Sequence, residues 1–559
     1  MRAFFLIGFI AVIFESFSQS IPVGFPIYEE SLRRQQLLDT SDYQSHAIRP
    51  IQTQNELLVN EKDTIIMDRE LASFFNRKAM LKLLPFQIQS QFNSHHPYPR
   101  YDGSMVPGGG FQFSISPGVY GKLAFFSFQL KPEYLYSQNK NYHGFPTLTE
   151  EEEAIWPNKR RWPNRYRWWN RADIPEQYGE EPLNKIYWGQ SFAQVSIGKF
   201  AFKASTENLW WGPGKYNSLL MTNNAKGFPH LSLNTTSPVN TPIGSFEFQL
   251  IAGKLENSGF VPPDTSIAVN ETQLYDPKID DDRLLNGIAL SYQPKWVKGL
   301  YVGVISTIQQ YRQSARENGR YLPIFSDLFG NQGLASDTTI WDKKSSIFLR
   351  WTMPKSEFYF EYGRNNDSWS WSQLTQAPQT NAAYILGFSK LLALRKPNRY
   401  LEFNLELSTL QQPADYIIAI NEPNSWYLHE TVRHGYTNNG ESLGHRAGPG
   451  GSMQLLEVNW INSLNKIGVR FERLVHNNDY YYLTHHGSNG GVFWKYWIDY
   501  SLSLEINKAY KHFLINLSVQ GTKSINYQWQ VDPDAAVFEQ GTQQDELNLN
   551  AFLNLAYLF

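Results

Sequence analysis

Cysteine is absent from the 559-residue chain. Its absence excludes disulfides, a thiolate nucleophile, a Cys-ligated zinc site and a lipid-modified N-terminal cysteine. An excess of either charge is missing too: 50 Lys and Arg stand against 52 Asp and Glu, so nothing in the balance draws the chain toward nucleic acid. No run of the ~18 apolar residues that a membrane-spanning helix needs occurs anywhere. What is abundant is aromatic: 17 Trp, 32 Tyr and 36 Phe, enough for interfacial girdles or stacking surfaces.

Residues 1–20 read as a secretory signal. Arg2 supplies the charged start, Ala3 to Phe14 an apolar run of 12 residues, and Ser16 and Ser18 small residues for cleavage near Gln19. An exported chain without a spanning helix is either soluble or crosses a membrane as a barrel. Residues 21–82 read as a mostly polar helical segment. Tyr28 to Leu38 is rich in helix formers, and Met67, Leu71, Phe74 and Phe75 recur at a spacing of three to four.

From Leu83 onward the period becomes two. The last segment is the clearest strand: Leu547, Leu549, Ala551, Leu553, Leu555, Tyr557 and Phe559 share one face, and Asn548, Asn550 and Asn554 the other. Apolar-out, polar-in alternation ending on an aromatic is what a closing transmembrane strand requires. Similar segments are separated alternately by short turns (117–121, 198–200, 238–244, 294–300, 354–357, 391–399, 462–466, 507–512) and long connections. The long ones fall at 94–108, 139–187, 209–229, 257–285, 313–344, 365–381, 411–453, 476–493 and 531–545. Eight turns and nine loops join 18 strands, with 230–236 the weakest strand. The reading is an all-β, 18-stranded antiparallel outer-membrane barrel over 83–559. Short turns, the N-terminal helices and the C-terminus lie in the periplasm, and long loops lie outside. The terminal Phe559 is the expected contact with the barrel assembly machinery, and the outer wall with outer-membrane lipid and lipopolysaccharide.

Two stretches carry a specific resemblance. Glu207-Asn208-Leu209-Trp210-Trp211-Gly212-Pro213-Gly214-Lys215-Tyr216-Asn217 continues to Ala225, and His434-Gly435-Tyr436 leads through Gly440 to Leu443-Gly444-His445-Arg446 and Gly448-Pro449-Gly450-Gly451. Together they resemble the Wzi family of capsule assembly proteins over most of 83–559. The resemblance implies an outer-membrane barrel with a small periplasmic helical part, and a lectin-like role of holding capsular polysaccharide at the cell surface.

Read by their chemistry, Gly212, Pro213 and Gly214 make a stiff turn with close backbone approach. Trp210 and Trp211 offer flat faces to sugar rings, and Asn223 and Asn224 paired donors and acceptors. The bland alternative is a plug loop in which the tryptophans only pack. The loop at 139–187 carries the acidic run Glu150 to Glu153. Lys159, Arg160, Arg161, Arg165, Arg167 and Arg171 then interleave with Trp162, Tyr166, Trp168 and Trp169. In an exported barrel this pattern suits anionic polysaccharide or lipopolysaccharide phosphate, not nucleic acid. Its alternative is an internal salt network closing the loop over the pore. His445 and Arg446 join the expected polysaccharide-binding set.

Enzyme signals are poor. His429 to His434 is one residue too long to put two histidines on one helical face. Asp280-Asp281-Asp282 reads as a solvated run and His485-His486 has no spaced partner. No metal or cofactor is expected. The favoured function is non-catalytic binding of capsular or exopolysaccharide. A porin-like channel, a barrel-embedded lipid or glycan hydrolase, and docking of a periplasmic protein by the helices are the alternatives.

Overall fold

The computed structural model describes residues 19–38, 44–53, 56–58, 64–75, 78–145, 158–269, 271–322, 340–365, 369, 371–485, 496–529 and 545–559. All but the last two residues of the expected signal lie outside them.

Strict alternation produces a closed antiparallel barrel of 18 strands. In chain order these are β1 (Ala79–Asn93), β2 (Gly110–Leu123), β3 (Phe126–Leu130 and Glu133–Ser137), β4 (Leu183–Tyr187 and Phe192–Ile197), β5 (Phe200–Ser205) and β6 (His230–Thr235 and Val239–Thr241). They continue with β7 (Gly244–Leu255), β8 (Arg283–Pro294), β9 (Leu300–Tyr311), β10 (Asp342–Met353), β11 (Ser356–Asn365) and β12 (Ala382–Ala393). The last six are β13 (Arg399–Thr409), β14 (Ser452–Asn462), β15 (Asn465–Val475), β16 (Ile498–Tyr510), β17 (Phe513–Ile525) and β18 (Glu546–Tyr557). The wall closes where β18 pairs with β1, from Asn550 opposite Asn93 to Tyr557 opposite Phe86. Closure pairs the first strand of the wall with the last and so removes the two edges an open sheet would carry.

The alternation sorts side chains as the bilayer demands. Val469, Phe471, Leu502 and Leu504 point outward and are exposed, while their neighbours Glu472, Ser503 and Glu505 are buried in the lumen. On β18, Leu547 and Leu549 face out, and Asn548, Asn550 and Asn554 face in.

One expected turn is displaced. Pro117 to Gly121 lies inside β2, and the chain reverses at Ala124 and Phe125 instead. Pro117 stands opposite a register shift in β1, where Pro85 and Phe86 occupy the place of one residue. A proline donates no ladder hydrogen bond, so a bulge is where a strand tolerates it.

The helical segment is corrected more deeply. Pro26–Leu38 is a helix, α1, with Pro26 in its first turn. Arg69–Phe74, however, is a strand that pairs with the start of β1. The pairing shifts register between Glu70 and Ala72, and that bulge breaks the two-residue period into one that imitates a helix. Nor does α1 hang apart from the barrel. Its Ile27 and Tyr28 pack with Leu464, Leu514, Ala556 and Leu558 at the short-turn end. Glu30 reaches Lys466 at 2.8 Å and Asn507 at 3.1 Å, and the Lys355 amide in the β10–β11 turn donates to the Leu37 carbonyl. The helix lies across the mouth of the lumen, its orphan C-terminal carbonyl met by a turn of the wall.

Candidate functional site

The two resembling motifs meet inside the barrel. The Trp-Trp pair at 210–211 forms a short ladder with Ile48 and Arg49, and the Thr222 amide donates to the Leu443 carbonyl. The Thr222 hydroxyl donates to the Gly444 carbonyl at 2.6 Å, and the Asn224 amide to the Ser442 carbonyl at 2.9 Å. Trp211 is fully buried, donates its indole N–H to Gln249 at 2.8 Å and lies against Gly287 of β8, where a side chain would strike its ring. Trp210 is buried between Tyr101 and the Arg49 guanidinium, which sits 4.7 Å from its ring. Asn223 donates to the Tyr101 carbonyl, and Arg446 pairs with Glu472 at 2.6 Å. Trp210, Trp211, Asn223, Asn224, His445 and Arg446 are thus brought together, as a plug. The side chains of all six are buried within the lumen, where Trp210, Asn223 and Arg446 line an internal cavity.

What anchors the plug is a set of lumen-facing glutamates that the sequence reading passed over. Glu357 on β11 holds Arg33 of α1 at 2.7 Å and Arg350 of β10 at 2.8 Å. Glu402 on β13 holds Lys215 at 3.2 Å. Glu406 accepts from the backbone of Lys215 and Tyr216 and from Asn217. Glu457 on β14 takes Tyr216, Lys466 and Arg470. These carboxylates are almost wholly removed from solvent. Buried charge is tolerated only when paired and hydrogen-bonded, so wall, helix and loop hold one another. The available signal was the acids at inward positions of the alternating strands, two of them on β13.

Above the plug lies a loop cap. Asn158–Trp169 forms helix α2, Ala414–Ile420 α3 and Asn478–His485 α4. Trp162, Trp168 and Trp169 are buried with Phe145, Tyr480, Tyr481 and Trp529. Arg165 is enclosed by this cluster, 4.7 Å from the Trp169 ring and 4.9 Å from Phe145, with Glu176 at 3.9 Å. Desolvated cation–π contacts of this kind contribute ~2 kcal/mol, so Arg165 is a fastener. Arg167 and Arg171 differ: both reach the rim and share Glu422, itself half-exposed. The side chains of Arg160 and Arg161, and the whole of Glu150 to Glu153, lie outside the described residues.

Burial pushes the Asp479 carboxyl in α4 up to about 7, although the Ser425 hydroxyl and the Gln412 amide donate to it. The folded cap therefore holds a proton that the unfolded loop releases near pH 4. Stability is greatest below that value and is lost as pH rises toward 7, by up to about 1.4 kcal/mol per pH unit. Amide exchange in Asn478–His485, corrected for intrinsic rates, is expected to be slower at pH 5.5 than at pH 7.5 and to lose that dependence in Asp479→Asn. The same dependence in the variant would contradict the assignment.

His445 Nε2 lies 2.7 Å from the Ser408 hydroxyl, which superficially matches a nucleophile and its base. The Ala447 amide donates to His445 Nδ1, which places the ring proton on Nε2 and makes the histidine a donor to Ser408. Burial lowers its pKa to about 3, so it stays neutral. The pair is built to hold a loop, not to abstract a proton. His429 Nδ1 accepts from the Thr431 and Val432 amides and His434 meets the Tyr311 hydroxyl. Asp281 and Asp282 pair with Arg312. Among the described residues no three such groups converge on a metal position.

A family model described as capsule assembly protein Wzi matches residues 99–527. Among solved structures the chain is similar to Wzi of Escherichia coli, described as an outer-membrane protein involved in group 1 capsule assembly and a carbohydrate-binding β-barrel. Identity is 12%, the TM-score 0.52, and 85% of this chain and 84% of that one are covered. OccK7 of Pseudomonas aeruginosa (9% identity, TM-score 0.37, 85% and 98% covered) and OccAB2 of Acinetobacter baumannii (8%, 0.39, 87% and 98%) are also similar. Comparison with curated proteins gives no match. The matched region contains both motifs that form the plug and nearly the whole wall around it, and the chain belongs to the Wzi family of capsule assembly proteins.

Proposed function

We propose that this protein is a lectin-like platform that holds surface polysaccharide at the cell exterior by non-catalytic binding at its loop cap. In this reading the short turns, α1 and the C-terminus face the periplasm, and Phe559 is offered to the assembly machinery. The observation that carries it is the filled lumen. A helix, a ladder-forming loop and their glutamate anchors occupy the interior, and an aromatic-cored cap lies over them, so the long-loop end is a surface more than a mouth. The carbohydrate binding described for the Escherichia coli barrel supports the same reading. On that surface Arg167 and Arg171 are the arginines best placed for an anionic sugar, because each shares a half-exposed carboxylate that a polymer carboxylate can displace.

Exposed pairs of this kind contribute only ~0–1 kcal/mol to stability, so their loss leaves the barrel intact. The double substitution Arg167→Gln, Arg171→Gln is expected to shift polysaccharide from the cell surface into the medium while the barrel stays heat-modifiable on gels. Unchanged retention would remove these arginines from the binding surface.

A further inference from the structure

The barrel wall is not of even height. β5 has only six residues, Phe200–Ser205, and the matching part of β6 is His230–Thr235. Their neighbours β7 and β8 have 12 each. A transmembrane strand needs ~9–11 residues. The cause is the plug: at Thr206 the chain leaves the wall for the lumen and returns only at His230. Ser205 pairs with His230, the Lys254 amide of β7 makes a last bond to the Pro229 carbonyl, and Leu255 continues upward beside β8. Above the ends of β5 and β6 the wall therefore has a notch on the long-loop side.

The notch is a groove of about 900 Å³, within the ~300–1,000 Å³ range of small-molecule sites. Ala204 and Leu231 form its floor, Phe128, Leu130 and Trp188 one side, and Leu284 and Leu322 the other. The floor residues belong to the outward face of their strands, continuous with exposed Phe202 and Leu233. What adjoins the notch is therefore the bilayer, not water. Two features place its upper edge at headgroup level. Trp188 is 70% exposed, an amphipathic ring of the interfacial kind. Lys254, 47% exposed, lies 3.0 Å from the Asp282 carboxylate, which Arg312, paired as well with Asp281, also reaches at 3.2 Å.

We propose that this notch seats an acyl chain of an anionic lipid from the leaflet on the long-loop side, with Lys254 meeting the headgroup. The inference is independent of polysaccharide binding: it rests on the short strands, the apolar floor and the position of one lysine. Its consequence is that a lipid lies directly behind the points where the plug loop leaves and rejoins the wall.

The test uses the full chain in phosphatidylcholine vesicles containing a small fraction of phosphatidylglycerol with a photoactivatable acyl chain, followed by peptide mapping of the adducts. Labelling is expected to concentrate on the peptides bearing Trp188, Ala204 and Leu231, above that at Phe471 and Leu502 on the far wall. Ala204→Trp, which fills the floor from the bilayer side, should reduce notch labelling to the level of the far wall. Lys254→Gln should lower it about fivefold, the effect of one lysine near an anionic headgroup. Both variants should remain heat-modifiable. Even labelling around the barrel, labelling unaffected by Ala204→Trp, or equal labelling by phosphatidylcholine and phosphatidylglycerol probes would overturn the proposal.

Discussion

Glu357→Ala is expected to release α1 from the lumen. The Glu357 carboxylate joins Arg33 of the helix to Arg350 of the wall, and both arginines are buried. Removing it leaves two cations facing each other in a low-dielectric interior, and breaking a buried pair in this way costs ~3–5 kcal/mol. The barrel ladder does not depend on that carboxylate, so the loss should be local. Limited trypsin digestion in detergent is expected to cut at Arg33 or Arg34 of α1 in the variant under conditions where the parent helix is protected. Glu357→Gln should show a smaller effect, since an amide oxygen still accepts one guanidinium hydrogen bond. Full protection in Glu357→Ala would mean that packing at Ile27 and Tyr28 holds the helix without the ion pair.

Gly214→Ala is expected to be as damaging, from the other side of the plug. A Cβ at Gly214 would stand 1.8 Å from the Asn217 carbonyl oxygen, and the obstruction is backbone, which cannot swing aside as a side chain does. The turn that directs Lys215, Tyr216 and Asn217 toward Glu402, Glu457 and Glu406 is then lost, and with it the cation paired with Glu402 and one hydrogen bond each to Glu457 and Glu406. A strained turn together with unpaired buried charge belongs to the short list of mechanisms that exceed ~4 kcal/mol. The measurable outcome is ion conductance in planar bilayers. The parent barrel should conduct poorly and the Gly214→Ala barrel should conduct well while retaining its wall. Equal conductance in the two would show that the loop does not control the lumen.

Much of this architecture was legible in the residues, for definite reasons. Period-two alternation depends on wall geometry alone, so the strand count could be read without knowledge of the interior, including the weak segment at His230. Prolines misled where a bulge absorbed them, as at Pro117, because a proline-glycine pair marks a turn in a chain with no neighbour and a bulge in one already paired. Met67 to Phe75 imitated a helix because a bulge in a strand shifts its phase. The site was only half legible. The Trp210–Asn224 and His434–Arg446 stretches stood out by composition, but whether tryptophans stack on sugar or pack in a lumen is decided by what lies opposite. That was Gly287, Gln249 and Arg49, all distant in sequence. The anchoring glutamates were invisible because an inward carboxylate acquires meaning only from its partner. In the arginine-rich helix the spacing could not tell Arg165, enclosed by rings, from Arg167 at the rim, since two of the enclosing rings, Tyr480 and Trp529, come from two other loops.

The measurement that bears most directly on the account is binding of the purified barrel, in detergent, to capsular or exopolysaccharide from the producing organism across a salt series. The account predicts saturable binding that weakens as salt rises, and that is reduced in Arg167→Gln, Arg171→Gln, because rim arginines hold an anionic polymer through screened charge. No binding at any salt concentration, together with ready ion conductance by the unmodified barrel, would contradict it.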